Sequence, residues 1–149
     1  MIKTFRALMP DNTIDTIPLS TRDGSIGYRI KKFEIIPNDP TANTSSAIMK
    51  IYTVLQTAAT REIDFSDQTL LGVAVYSHNS TMQNYPEDLQ IIFDNMIFNQ
   101  DIYITLNNAA GNDAINYYLE LEQVKLDLNE NTVATLKDIR NKERRTMIA

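Results

Sequence analysis

The residues of this chain with the most evident chemical potential are scattered acids. Asp64 and Asp67 lie in the run IDFSD (63–67), where two carboxylates could hold a hard cation such as calcium. The run lacks the spacing and the glycine of a calcium loop. Asp side chains in such short polar runs more often accept hydrogen bonds from nearby backbone groups. We therefore predict a turn at this place, with no metal and no cofactor.

Acid–base and nucleophilic chemistry would depend on very few side chains. His78 is the single histidine and the chain has no cysteine, so one chain cannot form a multi-histidine zinc site, a disulfide or a thiolate metal site. A Ser-His-Asp arrangement would have to use His78, which we expect at the surface near a strand end. The remaining acids are expected at turns or on outward strand positions, as for Asp39, Asp94, Asp101, Asp113, Glu120 and Glu122. A glycosidase needs two carboxylates about 5–10 Å apart across a bond, and the sequence does not place any two of these acids in that way. We predict no catalytic residues and no enzyme.

Five tyrosines could form a stacking platform for a sugar ring: Tyr76, Tyr85, Tyr103, Tyr117 and Tyr118. Tyrosine is also common in strands and in protein interfaces. The chain has no tryptophan, which disfavours a lectin. We expect these rings to serve mainly in packing, and we keep a carbohydrate- or receptor-binding module of a virion appendage as the alternative function.

The elements that must position these residues are short runs in which apolar and polar residues alternate, separated by loops rich in Asn, Asp, Ser, Thr and Gly. Alternation of this kind predicts β-strands. The run 13–21 contains Pro18, which favours an edge strand or an extended arm. The run 47–56 is apolar on both faces and is expected at the centre of a sheet. About eight strands are predicted, at 2–8, 13–21, 26–35, 47–56, 70–76, 89–93, 102–106 and 115–128.

Two strands change the parity of their apolar residues, and each change predicts a β-bulge. The first lies at Lys31-Lys32 and the second near Glu122-Gln123. The apolar parity of the strands also predicts a set of core residues: Val73, Ile91, Phe93, Ile104, Tyr117 and Leu119.

This pattern predicts an all-β fold, an antiparallel β-sandwich of the eight-stranded jelly-roll type, with a short C-terminal helix. A closed eight-stranded barrel is the alternative. With 149 residues the chain is long enough for one core. We divide it into an N-terminal strand and arm (1–24), a β-sandwich domain (25–128), and a C-terminal amphipathic helix with a basic tail (129–149).

The C-terminal segment has helical instead of strand periodicity. Asn129 is a suitable N-cap, and an apolar stripe follows at helical spacing. A short helix of this kind needs a partner surface to be stable. We therefore predict an assembly interface formed by Val133, Leu136, Ile139, Arg140, Arg144 and Arg145.

Charge is unevenly distributed along the chain. Residues 37–136 contain three Lys or Arg and thirteen Asp or Glu, whereas residues 137–149 contain five and two. Phosphates repel an acidic body, so only weak nucleic-acid contact through the C-terminal tail is expected. The N-terminal residues do not resemble a signal peptide and no apolar run is long enough to span a bilayer, so we predict no membrane partner.

Three segments resemble small, mostly uncharacterised proteins of marine bacteriophage genomes. They are IIFDNMIFNQDIY (91–103), NYYLELE (116–122) and LNENTVATLKDIRN (128–141). The resemblance extends from about Tyr28 to Asn141, and it implies a virion component while supplying no catalytic residue. The expected function is that of a viral structural protein, a subunit of a phage capsid shell, vertex or decoration layer. Its expected partners are identical subunits and other capsid proteins, and its expected location is the virion.

Overall fold

A computed structural model describes residues 1–19, 25–40, 44–78, 87–109 and 113–126. Within these ranges the chain forms eight β-strands and no helix. The number of strands and their order along the sequence agree with the alternating pattern. The strands are β1 (Ile2–Met9), β2 (Thr13–Ile17), β3 (Ile26–Pro37), β4 (Ser45–Tyr52), β5 (Leu70–His78), β6 (Glu87–Ile92), β7 (Ile102–Asn108) and β8 (Ile115–Lys125).

The strands form two sheets in which every neighbouring pair is antiparallel. One sheet has three strands in the order β1-β8-β3, and the other has five in the order β2-β7-β4-β5-β6. β2 lies at a sheet edge, as Pro18 predicted, and β4 lies at the centre, as its two apolar faces predicted. The N-terminal segment contributes a strand to each sheet, because β1 pairs with β8 and β2 pairs with β7.

One buried cluster joins side chains from both sheets. The three-stranded sheet contributes residues such as Phe33 and Leu119, and the five-stranded sheet contributes residues such as Met49 and Ile104. The ring of Phe98 packs in this cluster beside Tyr28. The backbones of the two residues form two hydrogen bonds, of 2.7 and 2.9 Å. Of the predicted core residues, Val73, Ile104, Tyr117 and Leu119 are buried.

The predicted bulge in β3 is present, because the pairing of β3 with β8 shifts between Ile30 and Lys32. Two exposed lysines in succession allow Ile30 and Phe33 both to face the core. The predicted bulge near Glu122-Gln123 was wrong: β8 keeps a continuous register with β3 at this place. The change of apolar parity there has another cause, since Leu126 is buried after the end of the strand.

The expected burial of Ile91 and Phe93 was also wrong, as both are only half-buried. β6 is an edge strand of its sheet, so it has a neighbour on one side only. Phe93 lies over the outer face of the sheet in a small second cluster with Val73. A register shift in the pairing of β4 with β5 places Leu71 in the main core, away from Val73.

The C-terminal helix predicted for 129–149 lies outside the described residues. In the described part of the chain, no helix has the length and the apolar character needed to cross a membrane.

Candidate functional site

The outer face of the three-stranded sheet presents exposed side chains in regular rows. Side chains alternate along a strand, so every second residue of β1, β8 and β3 points away from the core, and the register arranges these residues in rows across the sheet. One row consists of Leu8, Asn116 and Ile36. Leu8 is 48% exposed and Ile36 is 52% exposed, so this row offers apolar surface to solvent at both edges of the sheet.

The next row consists of Arg6, Tyr118 and Glu34. Arg6 is exposed, and the side chain of Glu34 is 56% exposed with Lys32 3.8 Å away. The Tyr118 hydroxyl donates a 2.7 Å hydrogen bond to the carboxylate of Glu120, and this bond raises the pKa of Tyr118. The row therefore has a cation on β1, an aromatic ring in the middle and an anion on β3.

The far end of the same face contains an ion-pair cluster around Glu122. Arg29 approaches the Glu122 carboxylate at 2.9 Å and Lys31 approaches it at 3.3 Å. Hydrogen bonds from these two cations lower the pKa of Glu122, and the bond to Glu122 raises the pKa of Arg29. Lys31 is the extra residue of the β3 bulge, which is why it can reach the same carboxylate as Arg29.

An open groove of about 760 Å³ lies at the apolar end of this face. Its lining includes Arg6, Leu8, Glu34, Ile36 and Tyr118. Asp88 also lines it, so the groove combines apolar side chains with one cation and two carboxylates. Such a surface fits a partner that has both apolar and charged groups.

The outer face of the five-stranded sheet is different, because the chain covers part of it with its own segment 53–69. Arg61 donates to the backbone oxygen of Ser46 at 2.9 Å and to that of Asn107 at 3.3 Å. The Asn107 amide in turn donates to the Ala59 backbone oxygen at 2.9 Å. These bonds attach the segment to β4 and β7.

Lys50 lies beneath this covering segment and is 1% exposed. Its ammonium donates to the Thr60 hydroxyl at 2.9 Å and to the Glu62 backbone oxygen at 2.6 Å. The ammonium also lies 5.5 Å from the centre of the Tyr52 ring. Burial lowers the pKa of Lys50, since a charged ammonium is less stable away from water. The group binds the covering segment and is not accessible to a ligand.

The acids considered as cation ligands hold turns, as the sequence suggested. One oxygen of Asp64 accepts from the Ser66 backbone NH at 2.9 Å and from its hydroxyl at 2.5 Å. Asp67 forms the same arrangement with Thr69, at 2.9 and 2.6 Å. Within the described ranges no three His, Cys, Asp or Glu side chains cluster as a metal site would require.

His78 and the tyrosines are not gathered at one place. His78 is only 7% exposed, so the expectation of a surface histidine was wrong. Tyr76 and Tyr117 are buried in the main core, whereas Tyr118 and Tyr103 lie half-buried on different sheets. The described tyrosines therefore do not form a common platform. Tyr85 lies outside the described residues.

The interface predicted from the sequence, Val133, Leu136, Ile139, Arg140, Arg144 and Arg145, lies outside the described residues. The sequence alone did not indicate a role for Arg6, Leu8, Glu34 or Ile36. A signal for them exists, because Arg6 and Leu8 share the outward parity of β1. Only the register shows that they stand level with Glu34 and Ile36, on a strand about thirty residues away.

No protein-family model matches this chain, and no curated protein matches it significantly.

Proposed function

We propose that this chain is a structural subunit of a virus particle and that it belongs to a bacteriophage capsid shell, vertex or decoration layer. It acts by assembling with identical subunits and with other capsid proteins, and it performs no catalysis. The observation that carries the proposal is the open outer face of the three-stranded sheet, where Leu8 and Ile36 are about half exposed in one row. The resemblance of 91–103, 116–122 and 128–141 to marine phage proteins is the reason for proposing a bacteriophage as the origin of the chain.

We further propose that the two sheets form a β-sandwich with jelly-roll winding, an architecture that capsid domains use. The pairing pattern supports this. β1 pairs with β8, β2 with β7, and β4 with β5, as in a folded ribbon whose first strand meets its last. β8 also pairs with β3, and β7 with β4, which joins the ribbon into two sheets. The remaining ribbon pair would be β3 with β6; here β6 pairs with β5 and also contacts β3.

The contrast between the two sheets supports a role in assembly. The chain covers part of the outer face of the five-stranded sheet with segment 53–69, held by Lys50 and Arg61. Among the described residues, nothing comparable lies over Leu8 and Ile36. A subunit gains stability when a neighbour removes such side chains from water, by about 25 cal/mol per Å² of apolar surface.

The C-terminal segment belongs to the same proposal. Val133, Leu136 and Ile139 would dock on a neighbouring subunit, and the basic residues after them would contact its acidic surface. Nucleic-acid contact through this tail would be weak, because the rest of the chain is acidic. The protein would reside in the virion, without a membrane partner.

The native mass and the particle shape test the proposal. We expect multi-angle scattering to give a mass above that of a single 17.0 kDa chain, and electron microscopy to show rings or shells. A protein that remains a monomer at all concentrations would contradict this function. An isolated trimer that binds glycans through loops at one end would support the appendage module instead.

Truncation after Asn141 tests the role of the tail. We expect self-association to weaken and the already slight retention of DNA to change little. The matched variants Leu136→Asp and Ile139→Asp should impair assembly while the β-domain remains folded by circular dichroism. If the full chain bound DNA tightly at low salt and truncation abolished this without affecting assembly, the tail would be a genome contact.

A further inference from the structure

We propose that the open face of the three-stranded sheet is a contact with a second copy of this chain, related by a two-fold axis that runs parallel to the strands along β8. This inference rests on the proposed function, and it identifies the surface and the orientation that one subunit contact would use. It follows from the arrangement of charge and apolar surface across the sheet.

The two exposed rows differ in what they place at the two edges of the sheet. One row has opposite charges at its two ends, and the other has apolar side chains at both ends. In the first, Arg6 on β1 stands level with Glu34 on β3, and Tyr118 lies between them. In the second, Leu8 on β1 stands level with Ile36 on β3, with Asn116 between them. The first row is therefore antisymmetric in charge about β8, and the second is symmetric in apolar character.

A two-fold axis parallel to the strands exchanges the two edges of the sheet. It places β1 of one copy over β3 of the other, so that Arg6 meets Glu34 of the second copy, and the same pair forms a second time. Leu8 meets Ile36 of the second copy twice, and Tyr118 meets its own equivalent on the axis. Such a contact is isologous, as in most homodimers, and it stacks the two faces in the aligned manner of packed sheets.

Other arrangements of two identical faces are less favourable. An axis that crosses the strands at Tyr118 would set Arg6 against Arg6 and Glu34 against Glu34 of the second copy. Like charges so placed repel. The charge pattern thus selects one orientation among the face-to-face contacts.

The present partner of Glu34 does not prevent this contact. Lys32 lies 3.8 Å from Glu34, and the two side chains are 47% and 56% exposed. Exposed pairs of this kind contribute little. A guanidinium can bind a carboxylate through two parallel hydrogen bonds, so Arg6 of the second copy can add to Lys32 or replace it.

The other end of the face limits the size of the contact. Glu120 and Glu122 lie on β8, close to the axis, where each would approach its own equivalent. Arg29 and Lys31 neutralise Glu122, whereas Glu120 accepts a hydrogen bond from the neutral Tyr118 hydroxyl. We therefore place the contact at the rows of Arg6 and Leu8 and expect it to be small and sensitive to salt.

A charge-reversal cycle on the full chain tests this inference by sedimentation at low salt. Arg6→Glu and Glu34→Arg should each raise the dissociation constant of the self-contact at least about tenfold, because each creates two like-charge contacts. The double variant restores both opposite-charge contacts, and we expect its dissociation constant within about threefold of the parent. Both positions are exposed, so circular dichroism should show that all variants fold.

Matched controls are Lys125→Glu and Glu62→Arg, which make the same charge changes at exposed positions away from these rows. They should leave the dissociation constant unchanged. If the parent assembles and the single reversals assemble equally well, or the double variant is no better than the weaker single variant, this inference is wrong and the proposed function stands. A parent that is monomeric at every concentration would overturn both.

Discussion

Replacement of Lys50 tests what a buried lysine contributes to this fold. The side chain is 1% exposed, and among the described residues it forms no ion pair. Its ammonium depends on two oxygens, the hydroxyl of Thr60 and the backbone oxygen of Glu62. We consider two variants: Lys50→Met retains most of the volume of the stem and removes the charge, and Lys50→Ala removes both.

The two variants should differ strongly in the free energy of unfolding. Thr60 and Glu62 are exposed residues, so the Thr60 hydroxyl and the Glu62 backbone oxygen can bind water once the ammonium is gone. Relief from burying a charge offsets the lost hydrogen bonds, and a substitution of similar volume usually costs less than about 1.5 kcal/mol. We therefore expect Lys50→Met to lie within about 1 kcal/mol of the parent. Lys50→Ala leaves a cavity and should cost about 2–5 kcal/mol.

Urea unfolding of the three proteins measures these values, and equal m-values would show that the comparison is sound. Hydrogen exchange should report faster exchange in segment 53–69 of both variants, because the bonds from the ammonium to this segment are lost. A cost above about 3 kcal/mol for Lys50→Met would refute the reasoning, since it would mean that the ammonium bonds outweigh the burial of charge.

The same pair of proteins gives a pH test with a definite sign. Burial lowers the pKa of Lys50 below its ordinary value of 10.5. Between the lowered pKa and 10.5 the unfolded chain binds more protons than the folded chain, so stability rises with pH in this window. The parent should therefore gain stability relative to Lys50→Met as the pH approaches 10.5. A difference that stays constant, or that falls, would contradict this.

The remaining predictions test packing and charge. Leu119→Ala removes a side chain that is 0% exposed and should lower the free energy of unfolding by about 2–5 kcal/mol. Phe93→Ala, at the half-buried edge, should lower it by about 1–2 kcal/mol. Equal losses in urea unfolding would contradict the assigned burial. Gly27→Ala places a methyl group 2.8 Å from Cγ2 of Ile97 and should cost about 1–3 kcal/mol, part of which Ile97→Ala should recover. Two cations lower the pKa of Glu122, so the parent should have a higher free energy of unfolding than Glu122→Gln above pH 4.5. This difference should disappear as acid protonates Glu122 in the folded protein. A difference that persists at lower pH would be evidence against the ion pairs.

The sequence by itself determined the strands, because alternation is a local property. It predicted eight strands, the edge position of β2, the central position of β4 and the bulge at Lys31-Lys32. It also identified the turn roles of Asp64 and Asp67, which depend on residues two positions away.

The tertiary structure decided what depends on neighbours in space. Parity could not show that β6 is an edge strand and leaves Phe93 half-buried, nor that the parity change after Leu121 reflects the burial of Leu126 beyond the strand. The candidate site was beyond the sequence for the same reason. Arg6 and Glu34 are ordinary outward residues of two separate strands, and they become one row only because β1 and β3 both pair with β8.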